Sequence, residues 1–277
     1  MITLQLIITN IFYPIDNQYT LVVPPTPPPH EKPSCYRWFF LYTISPKRLA
    51  ILIEVTLGLV HNSHRQTKYL IRELPGFTLI PDFITEAQEA ALIYELDTQP
   101  WLVDYQRRLQ YFGYRNELEK PYDLVPFPVQ FPTLIQRLAQ NISEDQIIEF
   151  MPNQVIINEY LPGEGIRPHK DSDYFENQIC GVNLGSGCVM RFTKGKETID
   201  FEVPRRSLYV MQDDARKKWK HSIPPKKKDT IEGELKLRDR RVSITYRKVK
   251  ESKVHPINLD GKAAEMLKRY FNIEVGT

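Results

Sequence analysis

The sequence predicts an α+β chain that is mostly β: a sandwich or jelly roll flanked by helices. Three observations predict it. At least six short β-type runs, each broken by a turn, follow one another between Asn153 and Val249, a density that suits a two-sheet antiparallel fold. Helical patterns flank this block, two before it and one after. Composition is that of an ordinary globular domain, with 42% hydrophobic and 26% charged residues and no internal repeat.

Residues 1–70 differ from the rest and read as an extension, disordered or belonging to a mis-called start. "PPTPPP" (24–29) can enter neither a helix nor a central strand, and the apolar runs around it keep no period. The opening stretch lacks a basic n-region and carries Asp16, so it makes a poor signal peptide. "LAILIEVTLGLV" (49–60) is shorter than a membrane span and contains Glu54. Cys35, Cys180 and Cys188 are too few and too scattered for a disulfide framework or a cysteine-rich zinc site. A soluble, cytoplasmic monomer in a reducing compartment is expected, with no membrane partner.

From Leu74 the pattern becomes orderly. "PGFTLIPDFI" reads as a strand stopped at Pro81 and Asp82. "TEAQEAALIYELD" (85–97) reads as a helix capped by Thr85. "RLQYFGYR" (108–115) is a short basic, aromatic strand or loop, and "FPTLIQRLAQNI" (131–142) an amphipathic helix with Pro132 at its start. The β runs are "NQVIINEY" (153–160), "NQICGVNL" (177–184), "GCVMRFTKG" (187–195), "TIDFEVP" (198–204), "RSLYVM" (206–211) and "RVSITYRKV" (241–249). Gly185-Ser186-Gly187 and Gly195-Lys196 read as hairpin turns. "DGKAAEMLKRYF" (260–271) reads as a closing helix. The division is then 1–70 extension, 71–253 domain, and 254–277 tail with a short helix.

Formal charge is only +3, yet Lys and Arg outnumber Asp and Glu across residues 191–253 while the remainder is net acidic. That block is either a solvated face or the surface for an anionic partner.

The chemistry centres on "RPHKDSD" (167–173). In an extended segment His169 and Asp171 point the same way, and an imidazole and a carboxylate converging on one point are two metal ligands. His221, in "KKWKHSIPP", is the natural third, because the other histidines fall in the extension or beyond the last strand. Two histidines and one carboxylate leave open positions on an octahedral ion, the ligand set of non-haem Fe(II) oxygenases. In "RVSITYR", alternation sends Val242, Ile244 and Tyr246 to one face and Arg241, Ser243, Thr245 and Arg247 to the other. Two arginines bracketing two hydroxyls describe an anion pocket suited to a dianion. Asn158 and Tyr160 share a face of the strand before His169.

Taken together, "NEYLPGEGIRPHKD", "WKHSI" and "RVSITYR", with "LGSGCVMRF" and "PRRSLYVM", resemble the AlkB family of Fe(II)- and 2-oxoglutarate-dependent dioxygenases over roughly residues 74–250. The resemblance implies a double-stranded β-helix, the jelly roll of that family. It implies that His169, Asp171 and His221 ligate Fe(II) and that Asn158 and Tyr160 bond 2-oxoglutarate. It places Arg241 on the distal carboxylate of 2-oxoglutarate and Arg247 near the metal end, with Ser243 and Thr245 lining the same face. Ser243 and the "HSI" triplet depart from the "Asn" and "HGI" of many members, without loss of a ligand. The implied reaction consumes O2 and 2-oxoglutarate, releases succinate and CO2, and hydroxylates a C–H bond. On an N-methyl group the product collapses to formaldehyde and amine.

An oxygenase of alkylated nucleic acid is the leading expectation, in DNA repair or tRNA modification. An oxygenase of a protein side chain is the alternative, and a non-catalytic, cupin-like jelly roll is the third reading. "RRLQYFGYR" interleaves arginines with aromatic rings, a pattern that grips phosphates and stacks unpaired bases. Arg108, Tyr111 and Tyr114 are therefore expected to touch substrate. Asp173 is expected either to face a cationic methylated base or to cap the turn before "YFENQ".

Overall fold

A computed structural model describes residues 13–15, 18–23, 40–44, 69–71, 73–104, 107–116, 124–250 and 262–273. The chain divides into two compact units, Met1–Val60 and His61–Thr277. In the first, β1 (Tyr13–Ile15), β2 (Gln18–Val23) and β3 (Phe40–Ile44) form a three-stranded antiparallel sheet in that order. The rest of that unit, with "PPTPPP" and the apolar run 49–60, lies outside the described residues, as does most of the stretch read as an extension.

The second unit opens with β4 (Tyr69–Leu70) and β5 (Phe77–Ile80), then helix α1 (Glu86–Thr98). Thr85 caps α1 with a reciprocal bond to Gln88, satisfying two backbone donors that a helix start leaves free. Next come β6 (Leu102–Asp104), β7 (Arg107–Asn116), β8 (Leu124–Phe127) and helix α2 (Thr133–Glu144). The core strands follow: β9 (Gln154–Tyr160), β10 (Ile166–His169), β11 (Ile179–Leu184), β12 (Cys188–Lys194), β13 (Glu197–Val203) and β14 (Leu208–Met211). A short helix α3 (Asp213–Lys217) leads to β15 (Lys220–Ile223), the hairpin β16 (Lys228–Ile231) and β17 (Glu234–Leu237), the last core strand β18 (Arg241–Arg247), and helix α4 (Lys262–Phe271).

The strands form a nine-stranded sheet, ordered β4-β5-β14-β11-β18-β9-β7-β6 with β8 on β7, and a four-stranded sheet ordered β10-β15-β12-β13. Apart from the β12–β13 hairpin, the chain crosses from one sheet to the other between β9 and β15, which is the winding of a double-stranded β-helix. This corrects one turn. Gly185-Ser186-Gly187 does not close a hairpin, because Leu184 ends a strand of the large sheet and Cys188 begins one of the small sheet. Gly195-Lys196 does close one: Lys194 pairs with Glu197, and Gly195 takes the positive φ of 61° that a tight two-residue turn needs.

Two apolar layers hold the unit together. The outer face of the large sheet (Val155, Ile157, Val182, Ile244 and Tyr246) packs against Leu92 and Leu96 of α1 and Ile135, Leu138 and Ile142 of α2. Between the sheets lie Phe77, Ile179, Met190, Phe192, Met211 and Trp219. Toward the β9–β18 side of this inner layer, polar side chains replace apolar ones, and there the site forms.

β10 and β15 escape sequence reading because "IRPH" and "KHSI" are short and carry no apolar alternation. They are strands because they pair with each other and β15 pairs with β12.

Candidate metal and co-substrate site

β10 runs antiparallel to β15 with His169 directly opposite His221. That register, rather than any local signal, brings the distal histidine to the HxD segment. The ligating atoms of His169, Asp171 and His221 all lie within 4.8 Å of one another, and the two imidazole centroids are 4.2 Å apart. His169 Nδ1 lies 2.8 Å from the Arg167 carbonyl. A carbonyl only accepts, so Nδ1 carries the proton and Nε2 keeps its lone pair for a metal.

Asp171 divides its two oxygens. Oδ1 accepts from Arg247 Nη2 at 2.5 Å, and Oδ2 lies 3.6 Å from His221 Nε2. Burial alone would raise this carboxyl, but Arg247, His221 and His169 outweigh it and hold the group well below the usual carboxylate range. Burial pushes His221 down to about 4, so its imidazole is available as a neutral donor.

β18 supplies the next layer, its period-2 face turned inward as the alternation predicts. Arg241, Ser243, Thr245 and Arg247 line one cleft with Asn158, Tyr160 and the triad; Met190, Met211, Ile166 and Ile223 supply its apolar wall, and Tyr209 closes it. Arg241 is 3% exposed. Its Nη2 bonds Asn183 Oδ1 and its guanidinium lies 5.1 Å from the Tyr160 ring centre. Nε and Nη1 of Arg241 and Nε of Arg247 are buried with no hydrogen-bond partner. Buried guanidinium donors left open in a polar cleft call for an anion. A dicarboxylate that chelates a metal at one end fits this donor set, and two imidazoles with one carboxylate fit Fe(II).

Sequence reasoning missed Asn183 and Gly181. Asn183 is fully buried; its amide donates to the Val203 and Pro204 carbonyls and the Ser207 hydroxyl, which leaves its oxygen to orient Arg241. A Cβ at Gly181 would stand 2.2 Å from the Tyr209 ring, so this glycine lets the phenol lie across β11. Both alternate with apolar residues in "ICGVNL", the only local signal that they face inward.

The expected substrate residues fare differently. Arg108 points away from the cleft: it forms two bonds, of 2.5 and 2.6 Å, to Glu159 and lies over Trp101. Its neighbour Arg107 faces the cleft side and donates to Asn158. Adjacent residues of a strand take opposite faces, so the two arginines diverge. Tyr111 is 2% exposed and packs with Leu109, Phe127 and Leu267, so it cannot stack on a base. Tyr114 is half-buried against Leu124, Phe175 and Val249, with Tyr174 beside it. Phe175 in turn lies 4.9 Å from the Arg247 guanidinium, at the metal end. The Asp173 side chain is 98% exposed, with Arg216 Nη1 at 4.0 Å. It does not cap the following turn: the Ser172 hydroxyl and carbonyl accept from Tyr174 and Phe175.

The family model described as the 2OG-Fe(II) oxygenase superfamily matches residues 102–247. Uncharacterized protein L905 of Acanthamoeba polyphaga mimivirus is 47% identical over 192 residues, covering 68% of this chain and 91% of that protein. The mouse tRNA (carboxymethyluridine(34)-5-O)-methyltransferase ALKBH8 is 31% identical over 209 residues, covering 64% of this chain but only 31% of that protein. The Arabidopsis thaliana "Alkylated DNA repair protein ALKBH8 homolog" is 30% identical over 210 residues, covering 66% and 60%. The chain thus spans less than a third of the mouse relative's length. Among the described residues no helix is long and apolar enough to cross a membrane.

Proposed function

The chain belongs to the AlkB family of 2OG-Fe(II) oxygenases, and from that premise we propose that it oxidises alkylated bases in nucleic acid, RNA before DNA. The observation that carries the assignment of residues is the pairing of the His169–Asp171–His221 cluster with open, buried guanidinium donors in one cleft. His169, Asp171 and His221 would hold Fe(II). Arg241 would take the distal carboxylate of 2-oxoglutarate, with Asn158, Tyr160, Ser243 and Thr245 as further partners. When bound, iron and 2-oxoglutarate supply the oxidation with O2: the co-substrate is converted to succinate and CO2 as a substrate C–H bond is hydroxylated.

The protein's own groups bind, orient and exclude water. Arg247 binds one oxygen of Asp171 and so turns the other toward the two imidazoles. Arg167's carbonyl fixes the His169 tautomer. Met190, Met211 and Ile223 keep one wall of the cleft apolar, which strengthens every charge contact inside it.

Three features support a nucleic-acid substrate. The names of the mouse and Arabidopsis relatives speak of tRNA and of alkylated DNA. The exposed Asp173 carboxylate stands two residues past a triad member, where it would attract a base made cationic by methylation. Tyr114 and Tyr174, on the aromatic cluster beside Arg247, would be the rings to flank such a base. RNA is put first because the mouse relative, 31% identical over 209 residues, is named for tRNA.

The test is anaerobic loading with Fe(II) and 2-oxoglutarate, followed by oxygen, with succinate measured across methylated tRNA, methylated DNA and methylated peptide. Stimulation by tRNA above DNA is expected. Stimulation by peptide alone would establish the protein-side-chain reading instead, and no iron-dependent succinate at all would remove the site assignment.

A further inference from the structure

We propose that Arg107 is a positioning residue of the 2-oxoglutarate pocket: it sets the orientation of the Asn158 amide so that Asn158 offers donors to the co-substrate. The inference rests on the reading that Asn158 touches 2-oxoglutarate.

Arg107 starts β7, the strand next to β9, and its Nε–H donates to Asn158 Oδ1 at 2.9 Å. Guanidinium is donor-only, so the amide atom facing it must be the oxygen. Asn158 is 7% exposed and lines the cleft. With its oxygen engaged, what it has left to offer is the NH2 group, the correct partner for a carboxylate. Without Arg107 the bond that holds the amide oxygen away from the co-substrate is lost. A flipped Asn158 would then present an acceptor to an anion and repel it.

A second observation points the same way. The Arg107 guanidinium lies 5.4 Å from the Tyr160 ring centre, and Arg241 lies 5.1 Å from the same centre. Two cations share one phenol that itself lines the cleft. Burial raises the Tyr160 hydroxyl, and Arg107 and Arg241 oppose that rise, which makes the neutral phenol a better donor to an anion. Arg107 does not itself line the cleft, so its effect passes through Asn158 and Tyr160. The arrangement repeats a local theme, since Asn183 holds Arg241 and Asp171 engages Arg247 in the same manner.

The experiment is 2-oxoglutarate titration by calorimetry on protein loaded with Mn(II), which occupies such a ligand set without turnover, alongside kcat and KM on Fe(II). Arg107→Met is expected to weaken 2-oxoglutarate binding about fivefold to tenfold, the scale of one well-made bond, with KM rising more than kcat falls. In an Asn158→Ala background the same substitution should weaken binding by less than about twofold, the small remainder that passes through Tyr160. Arg107→Lys, which keeps charge and a donor, should stand closer to the parent than Arg107→Met does. Binding by Arg107→Met within twofold of the parent, while Asn158→Ala is weakened, would overturn the inference and leave the pocket reading intact. Effects of Arg107→Met and Asn158→Ala that multiply in the double variant would overturn it too. If Asn158→Ala and Arg241→Leu both bind normally, the pocket reading is what fails. Should Arg107→Met not fold, Arg107→Lys and Arg107→Gln are compared, and equal affinities count against the inference.

Discussion

Arg241→Leu separates a ligand-binding arginine from a structural one. In the free protein Arg241 forms a bond to Asn183 and leaves Nε and Nη1 buried without partners. Replacing it strands the Asn183 oxygen, at about 1–3 kcal/mol for a buried unsatisfied acceptor. The same change removes two unsatisfied donors and a buried charge, which acts in the opposite direction by a similar amount. Stability of the free protein should therefore move by no more than about 1–2 kcal/mol, and Tm by a few degrees in a unit of this size. Binding is another matter. A charge-assisted contact to the distal carboxylate is worth about 2–3 kcal/mol, or about a 30- to 150-fold rise in the KM for 2-oxoglutarate. kcat at saturation should change much less, because the contact is made equally before and during the chemical step. The assays are succinate release against 2-oxoglutarate concentration, and thermal melts with and without 2-oxoglutarate. The parent's gain in Tm on ligand addition should largely vanish in the variant. A variant that melts far below the parent, yet keeps its KM within twofold, would refute the reasoning and make Arg241 a core cation.

Arg247→Leu should damage turnover more than Arg241→Leu, since it releases Asp171 rather than the co-substrate's remote end; Mn(II) affinity measured by titration should fall about 10- to 100-fold, as for other groups that orient metal ligands. Asp173→Asn should leave substrate-independent succinate release in place while erasing preference for cationic over neutral methylated bases in competition assays, and its 98% exposed side chain predicts a Tm within experimental scatter of the parent. Arg108→Ala should leave nucleic-acid affinity and kcat unchanged and lower stability by about 1–3 kcal/mol in a denaturant melt, because it strips a two-bond partner from the buried Glu159 and leaves Arg240 as the remaining one; weakened RNA binding would return Arg108 to the substrate surface.

By itself the sequence determined what period and spacing can carry. The i, i+2 relation in "HKD" and the alternation along "RVSITYR" are local consequences of extended backbone, so His169 shares a face with Asp171, and Arg241, Ser243, Thr245 and Arg247 share another, whatever the fold. Thr85 as a cap and Gly195 at a tight turn are equally local. The tertiary structure decided the rest. His221 reaches the triad through the register of two strands too short and polar to announce themselves. Gly185–Gly187 crosses between sheets because its flanking strands find different partners. Alternation along β7 shows that Arg107 and Arg108 face opposite ways, but not which way is inward, since both of its faces mix charge with apolar side chains. Tyr111 shares the face of Arg107, yet Phe127 of β8 and Leu267 of α4 cover it, while Arg107 lies beside Asn158 and Tyr160 at the cleft. Burial on a sheet face is set by what packs over it, and those covering residues come from distant parts of the chain that no local period can bring together.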